Sequence, residues 1–154
     1  MWLHAVKTLT SKVSGSNWQI ECRSSLSTDR SCPTGMAMGL ELVLNFLAPD
    51  AHDRYFQAKD VHRPLEFRGE IDSPTLTLVD EWQRVKITLL TRPQACWWIV
   101  PIETISQSEL GFERVYQGSA ILAVWKIDPP SWRNVTCTLH AEIAPWENTN
   151  PAEE

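Results

Sequence analysis

Long apolar runs are missing from this chain of 154 residues. The longest, Ala95 to Pro101, falls far short of the ~20 residues that span a bilayer, so no transmembrane helix is expected. The amino terminus, Met1 to Thr8, lacks a charged lead followed by an apolar stretch of about 7–15 residues, the pattern of a secretory signal, and the expectation is a soluble cytoplasmic protein without a membrane partner. Positive charge is sparse and dispersed. Fourteen Lys and Arg residues stand singly against a formal net charge of −5, which argues against nucleic acid, because phosphate binding needs concentrated positive charge. Cys22, Cys32, Cys96 and Cys137 show no Cys-x-x-Cys spacing, so no metal site is expected; free thiols are the cytoplasmic expectation, with a Cys22–Cys32 disulfide as the alternative in an oxidising compartment. Also missing are a Gly-x-Ser-x-Gly elbow, a glycine-rich phosphate loop and a His-Glu-x-x-His pair, which removes the commonest hydrolase, nucleotide and metalloprotease templates. No cofactor is implied.

What is present is a globular balance, 43% hydrophobic and 21% charged, in which eight tryptophans outnumber two tyrosines. Such an excess of Trp suits cores, interfaces and platforms for sugar rings. Period-two alternation recurs and helical stripes do not. Leu40, Leu42, Leu44 and Phe46 alternate with Glu41, Val43 and Asn45, and Val85, Ile87 and Leu89 with Arg84, Lys86 and Thr88. The longest case places Val135, Cys137, Leu139, Ala141 and Ile143 on one face and Asn134, Thr136, Thr138, His140 and Glu142 on the other.

Further strands are expected at Asn17–Ser24, Leu65–Ile71, Thr75–Val79, Ala95–Val100, Phe112–Tyr116 and Ser119–Lys126, with a hairpin turning at Asp80–Gln83. Only His52–Val61 hints at a helical turn. Ser, Thr, Asp and Pro clusters such as Asp72-Ser73-Pro74 and Asp128-Pro129-Pro130 punctuate the pattern. The expectation is an all-β antiparallel β-sandwich, a single domain over residues 1–147, with an acidic tail at 148–154.

The segment from Trp97 to Ser119 concentrates chemistry: paired Trp97 and Trp98, then Glu103, Glu109 and Glu113. Adjacent side chains of a strand point to opposite faces, so only one of the two tryptophans need be structural. Glu41 stands out because it interrupts an apolar strand, where a buried carboxylate would need a partner. Trp125 alternates with Ile121 and Ala123 and is expected in the core, while Trp132 is a further platform candidate. His140 and Glu142 share the polar face of their strand. Asn134-Val-Thr136 is a formal glycosylation sequon with no signal peptide to make it relevant.

Pro101 to Ser119, preceded by a Trp-rich strand and followed by an apolar strand ending in Trp125, resembles the carboxy-terminal domain of the family 57 glycoside hydrolases, the α-amylases and 4-α-glucanotransferases. Met38-Gly39-Leu40-Glu41-Leu42 and the hairpin through Leu78-Val79-Asp80 agree in order. The resemblance implies a β-sandwich of the galactose-mutarotase-like, supersandwich type, in partial form, which in that family sits beside a catalytic (β/α) barrel. The barrel supplies the family's nucleophilic Glu and acid Asp, and nothing in this chain alternates strands and helices to build one. No catalytic residue is therefore assigned, and no catalytic activity is expected of the chain alone. The family's sandwich carries additional strands ahead of the glycine and glutamate strand, so the chain is read as the later part of that domain.

The resulting expectation is a non-catalytic module that binds an α-glucan or maltooligosaccharide through Trp97, Trp98, Glu103, Glu109 and Glu113, with Glu41 as a polar contact in a concave sheet. In place of binding it would support a separately encoded glycoside hydrolase barrel, and either a barrel or self-association would cover its open edges. Two alternatives stand beside it. One is a small aldose epimerase, which needs His140 and a glutamate in one pocket; the other is a structural remnant of a truncated hydrolase.

Overall fold

A computed structural model describes residues 3–28, 35–59, 61–108, 111–127 and 134–147. Eleven strands are described: β1 (Leu3–Ser14), β2 (Asn17–Thr28), β3 (Met36–Leu44), β4 (Arg54–Ala58), β5 (Val61–Pro64), β6 (Gly69–Asp72), β7 (Thr75–Asp80), β8 (Val85–Arg92), β9 (Cys96–Ser108), β10 (Gly111–Ile127) and β11 (Asn134–Pro145). They form a seven-stranded sheet in the order β1-β2-β11-β8-β7-β4-β5 and a four-stranded sheet in the order β3-β10-β9-β6. Neighbours in both are antiparallel. No described residue is helical, so no described helix is long and apolar enough to cross a membrane.

Alternation places one apolar row of each sheet against the other. Leu76, Leu78, Leu89, Cys137 and Leu139 from the larger sheet and Leu40, Trp97, Ile99, Ile121 and Trp125 from the smaller belong to one buried cluster. Polar atoms taken inside find partners, as burial requires. The Trp97 indole donates to Ser73 O at 2.9 Å, the Trp125 indole to Pro93 O at 2.7 Å, and the Ser119 hydroxyl to Leu65 O at 3.1 Å. Burial pushes the Cys137 thiol up to about 11. Cys22, Cys96 and Cys137 are free thiols, and Cys32 lies outside the described residues.

The expected hairpin is present as β7 and β8. Its turn is held by Asp80, whose carboxylate accepts the Gln83 N–H at 2.8 Å and Arg54 Nε at 3.2 Å. Other expectations need correction. His52–Val61 is no helical turn: Arg54–Ala58 is a strand, and it buries Phe56 and Ala58 on alternate positions. Leu65–Ile71 is not one strand, because a turn closed by the Phe67 N–H donating to Pro64 O at 3.0 Å delays β6 to Gly69. Phe112–Tyr116 and Ser119–Lys126 are a single strand, interrupted only by a bulge between Tyr116 and Gly118.

Close backbone approach at the bulge requires glycine at position 118. A Cβ on Gly118 would stand 2.9 Å from the backbone oxygen of Leu44, whereas one on Gly39 would meet nothing closer than 4.0 Å. Gly118→Ala is accordingly expected to cost about 1–3 kcal/mol, the range for overpacking, and Gly39→Ala under about 0.5 kcal/mol, as thermal melts would show. Beyond the bulge, residues Glu103–Gln107 and Gly111–Val115 form an arm exposed on both faces. At the opposite edge every residue of β1 is exposed, leaving Leu3, Leu9 and Val13 open to solvent together with Trp18 of β2.

Candidate functional site

The solvent-facing side of the four-stranded sheet carries the first cluster. Strand register aligns Glu41, Leu122, Trp98 and Glu70 in one row across β3, β10, β9 and β6. Trp98 is 42% exposed, and Glu41 and Glu70 are exposed. Glu41 therefore needs no buried partner: it faces water while Met38 and Leu40 of the same strand face the core. One row away Cys96 Sγ lies 3.8 Å from Glu70 Oε2. Burial, with the charges of Glu70 and Asp72, raises its pKa and disfavours the thiolate. On the other side of the row the same face continues through Val43, Val100 and Ile102, each at least 36% exposed.

Trp97 leaves the candidate set. It is fully buried between the sheets, and no face of its indole reaches a ligand. Glu103 sits on the arm's other face, within 3.5 Å of Arg114 and 3.8 Å of Arg68. Glu113 is exposed on the same face as Trp98, but its partner Ser106 lies eight residue steps along β9 from Trp98, a distance of roughly 26 Å. The expected residues thus do not converge on one site. Glu109 and Trp132 lie outside the described residues.

The second cluster occupies the solvent-facing side of the seven-stranded sheet. Register aligns Thr10, Glu21, His140, Leu90 and Thr75 across five strands. His140 Nδ1 lies 3.4 Å from Glu21 Oε2, and Arg23 Nη2 lies 3.1 Å from Glu21 Oε1. The five aligned residues line an open groove of about 610 Å³ with Lys12, Gln19, Thr88, Arg92 and Glu142. His140 and Glu142 are legible in the sequence as a polar face. Glu21 is not, because its partner is 119 positions away and only strand pairing brings the two together.

The spacing of carboxylates decides what chemistry is open. Glu41 and Glu70 are three strand steps apart, about 14 Å at ~4.8 Å per step, beyond the ~5–9.5 Å that separates the two carboxyls of a glycoside hydrolase. His140 and Glu21, in contact with each other, occupy one site. An acid and a base working on opposite sides of a sugar ring would need the ring's width between them.

Residues 5–139 match the family described as Alpha-amylase/4-alpha-glucanotransferase, C-terminal. The chain is 38% identical over 109 residues to Alpha-amylase 1 of Dictyoglomus thermophilum, an alignment covering 66% of this chain and 15% of that protein. Its fold is similar to that of the 4-alpha-glucanotransferase from Thermococcus litoralis, with a TM-score of 0.59 and 17% identity over 90% of this chain and 18% of the other. The chain thus spans less than a fifth of the length of either relative. By the extent of the family match, the chain belongs to the C-terminal domains of the α-amylases and 4-α-glucanotransferases.

Proposed function

We propose that this chain is a non-catalytic module that binds α-glucan and works beside a separate catalytic unit. The observation that carries the reading is the row Glu41-Leu122-Trp98-Glu70, an exposed indole with a carboxylate next to it and a second one two strands away on an open sheet face. An indole face stacks on the C–H face of a sugar ring, and carboxylates accept hydrogen bonds from its hydroxyls. Membership of a family named for two glucan-processing enzymes supports the choice of ligand. The separation of about 14 Å between the carboxylates favours holding a sugar over cleaving it. The strip of Val43, Val100 and Ile102 beside Trp98 suits contact with a catalytic barrel, which would place Trp98 at the seam.

Aldose epimerisation, the reading favoured by His140 and Glu21 meeting in a groove, is the weaker one because the two groups contact each other. Titration with maltoheptaose, followed by Trp emission, tests the binding reading. A saturable change with a millimolar Kd is expected in the native chain, and Trp98→Ala, an exposed position, is expected to fold and to lose about tenfold or more in affinity. Equal affinity in Trp98→Ala would remove the indole as the platform.

A further inference from the structure

We infer that the groove on the seven-stranded sheet is a second saccharide subsite, centred on Glu21 and His140, that takes a neutral sugar chain. The inference rests on the reading of the module as a glucan binder and adds a separate surface to it. Three properties of the groove select the ligand class.

The first is charge. Lys12 and Arg92 balance Glu21 and Glu142 along its walls, so the groove offers no net attraction to phosphate or to a polycarboxylate. The second is hydrogen-bonding character. The carboxylates only accept, Lys12 and Arg92 only donate, and the hydroxyls of Thr10, Thr75 and Thr88 do both. Such an alternation matches a run of sugar hydroxyls, each of which donates and accepts. Glu21 is already oriented by Arg23 at 3.1 Å and His140 at 3.4 Å, so its carboxylate meets a ligand without first being ordered. The third is shape. The row from Thr10 to Thr75 crosses four strand steps, about 19 Å, with the side chain of Leu90 beside His140 as an apolar patch for the C–H face of a ring. An extended oligomer fits this better than a compact metabolite.

The groove and the Trp98 row lie on opposite outer faces of the sandwich, so a single short oligosaccharide cannot occupy both. Without an aromatic platform in the groove each event there is weak. Two weak sites facing away from each other suit a polymeric glucan, where the second contact is made at a high effective concentration.

Backbone amide NMR of the full chain during titration with maltoheptaose tests the inference. Saturable shifts are expected around Glu21, Leu90 and His140 as well as around Trp98, in two independent sets. The isosteric Glu21→Gln, at a half-buried position, should weaken the groove set by about tenfold, the scale of one charge-assisted hydrogen bond, and leave the Trp98 set unchanged. Shifts confined to the surroundings of Trp98 would overturn the groove subsite and keep the glucan-binding reading. Groove shifts indifferent to Glu21→Gln would also overturn it. No shifts anywhere would overturn both.

Discussion

Truncating Trp97 to alanine is expected to cost about 3–5 kcal/mol of folding stability, while the same change at neighbouring Trp98 costs about 1 kcal/mol or less. The two residues differ by one step along β9 and therefore by face. Trp97 is fully buried between the sheets, and its indole satisfies the carbonyl of Ser73, a residue only 1% exposed. Alanine would leave both a cavity and an acceptor without its donor, and the two effects add. Against a typical total of about 5–15 kcal/mol, such a loss removes much of the stability of a domain this size. Urea titrations read it directly: the midpoint of Trp97→Ala should fall far below that of Trp98→Ala at similar slope. Comparable midpoints would show that Trp97 does not hold the sheets together.

Asp80→Ala should be nearly as damaging. The Asp80 side chain has no exposed surface, and it anchors the turn through the Gln83 N–H and β4 through Arg54, whose side chain is 12% exposed. Removing Asp80 leaves the Gln83 N–H without its acceptor and Arg54 with only the longer contact to Asp53 at 3.5 Å, a change worth about 2–4 kcal/mol, and a loss of that size lowers Tm by roughly 4–16 °C in a chain of this length. Asp80→Asn keeps the shape and an oxygen for Gln83 and should lower Tm by less. If the asparagine variant melts like the native chain, the charge pairing with Arg54 contributes little. Asp80 lies apart from the residues of both outer faces, so sugar binding by the still folded asparagine variant is expected to be unchanged.

The alternation of Val135 to Ile143 and of Val85 to Leu89 was enough to place β11 and β8, because strands half-buried on one face carry their orientation in their composition. The family resemblance was likewise carried by a contiguous stretch, Pro101–Ser119, with Trp125 buried where its alternation placed it. The elements missed share a different physics. β1 is exposed along its whole length and so has no buried row to impose a pattern on it. β4 is only five residues long, too short for a period to emerge from Arg54, Tyr55 and Gln57. The break expected between Tyr116 and Ser119 is instead a bulge within one strand, at a glycine that backs onto Leu44. The candidate site was the least legible part. Trp97, Trp98, Glu103 and Glu113, close in sequence, were dispersed to the core, an outer face and an arm, while Glu21 and His140, far apart in sequence, were joined by strand pairing.

The central claim is that this sandwich binds α-glucan without processing it. Incubating the folded chain with maltoheptaose at millimolar concentration, while following Trp emission and the composition of the sugar together, tests both halves at once. A saturable emission change with the heptasaccharide left intact is expected. A flat emission response, or the appearance of shorter or longer oligosaccharides, would contradict it.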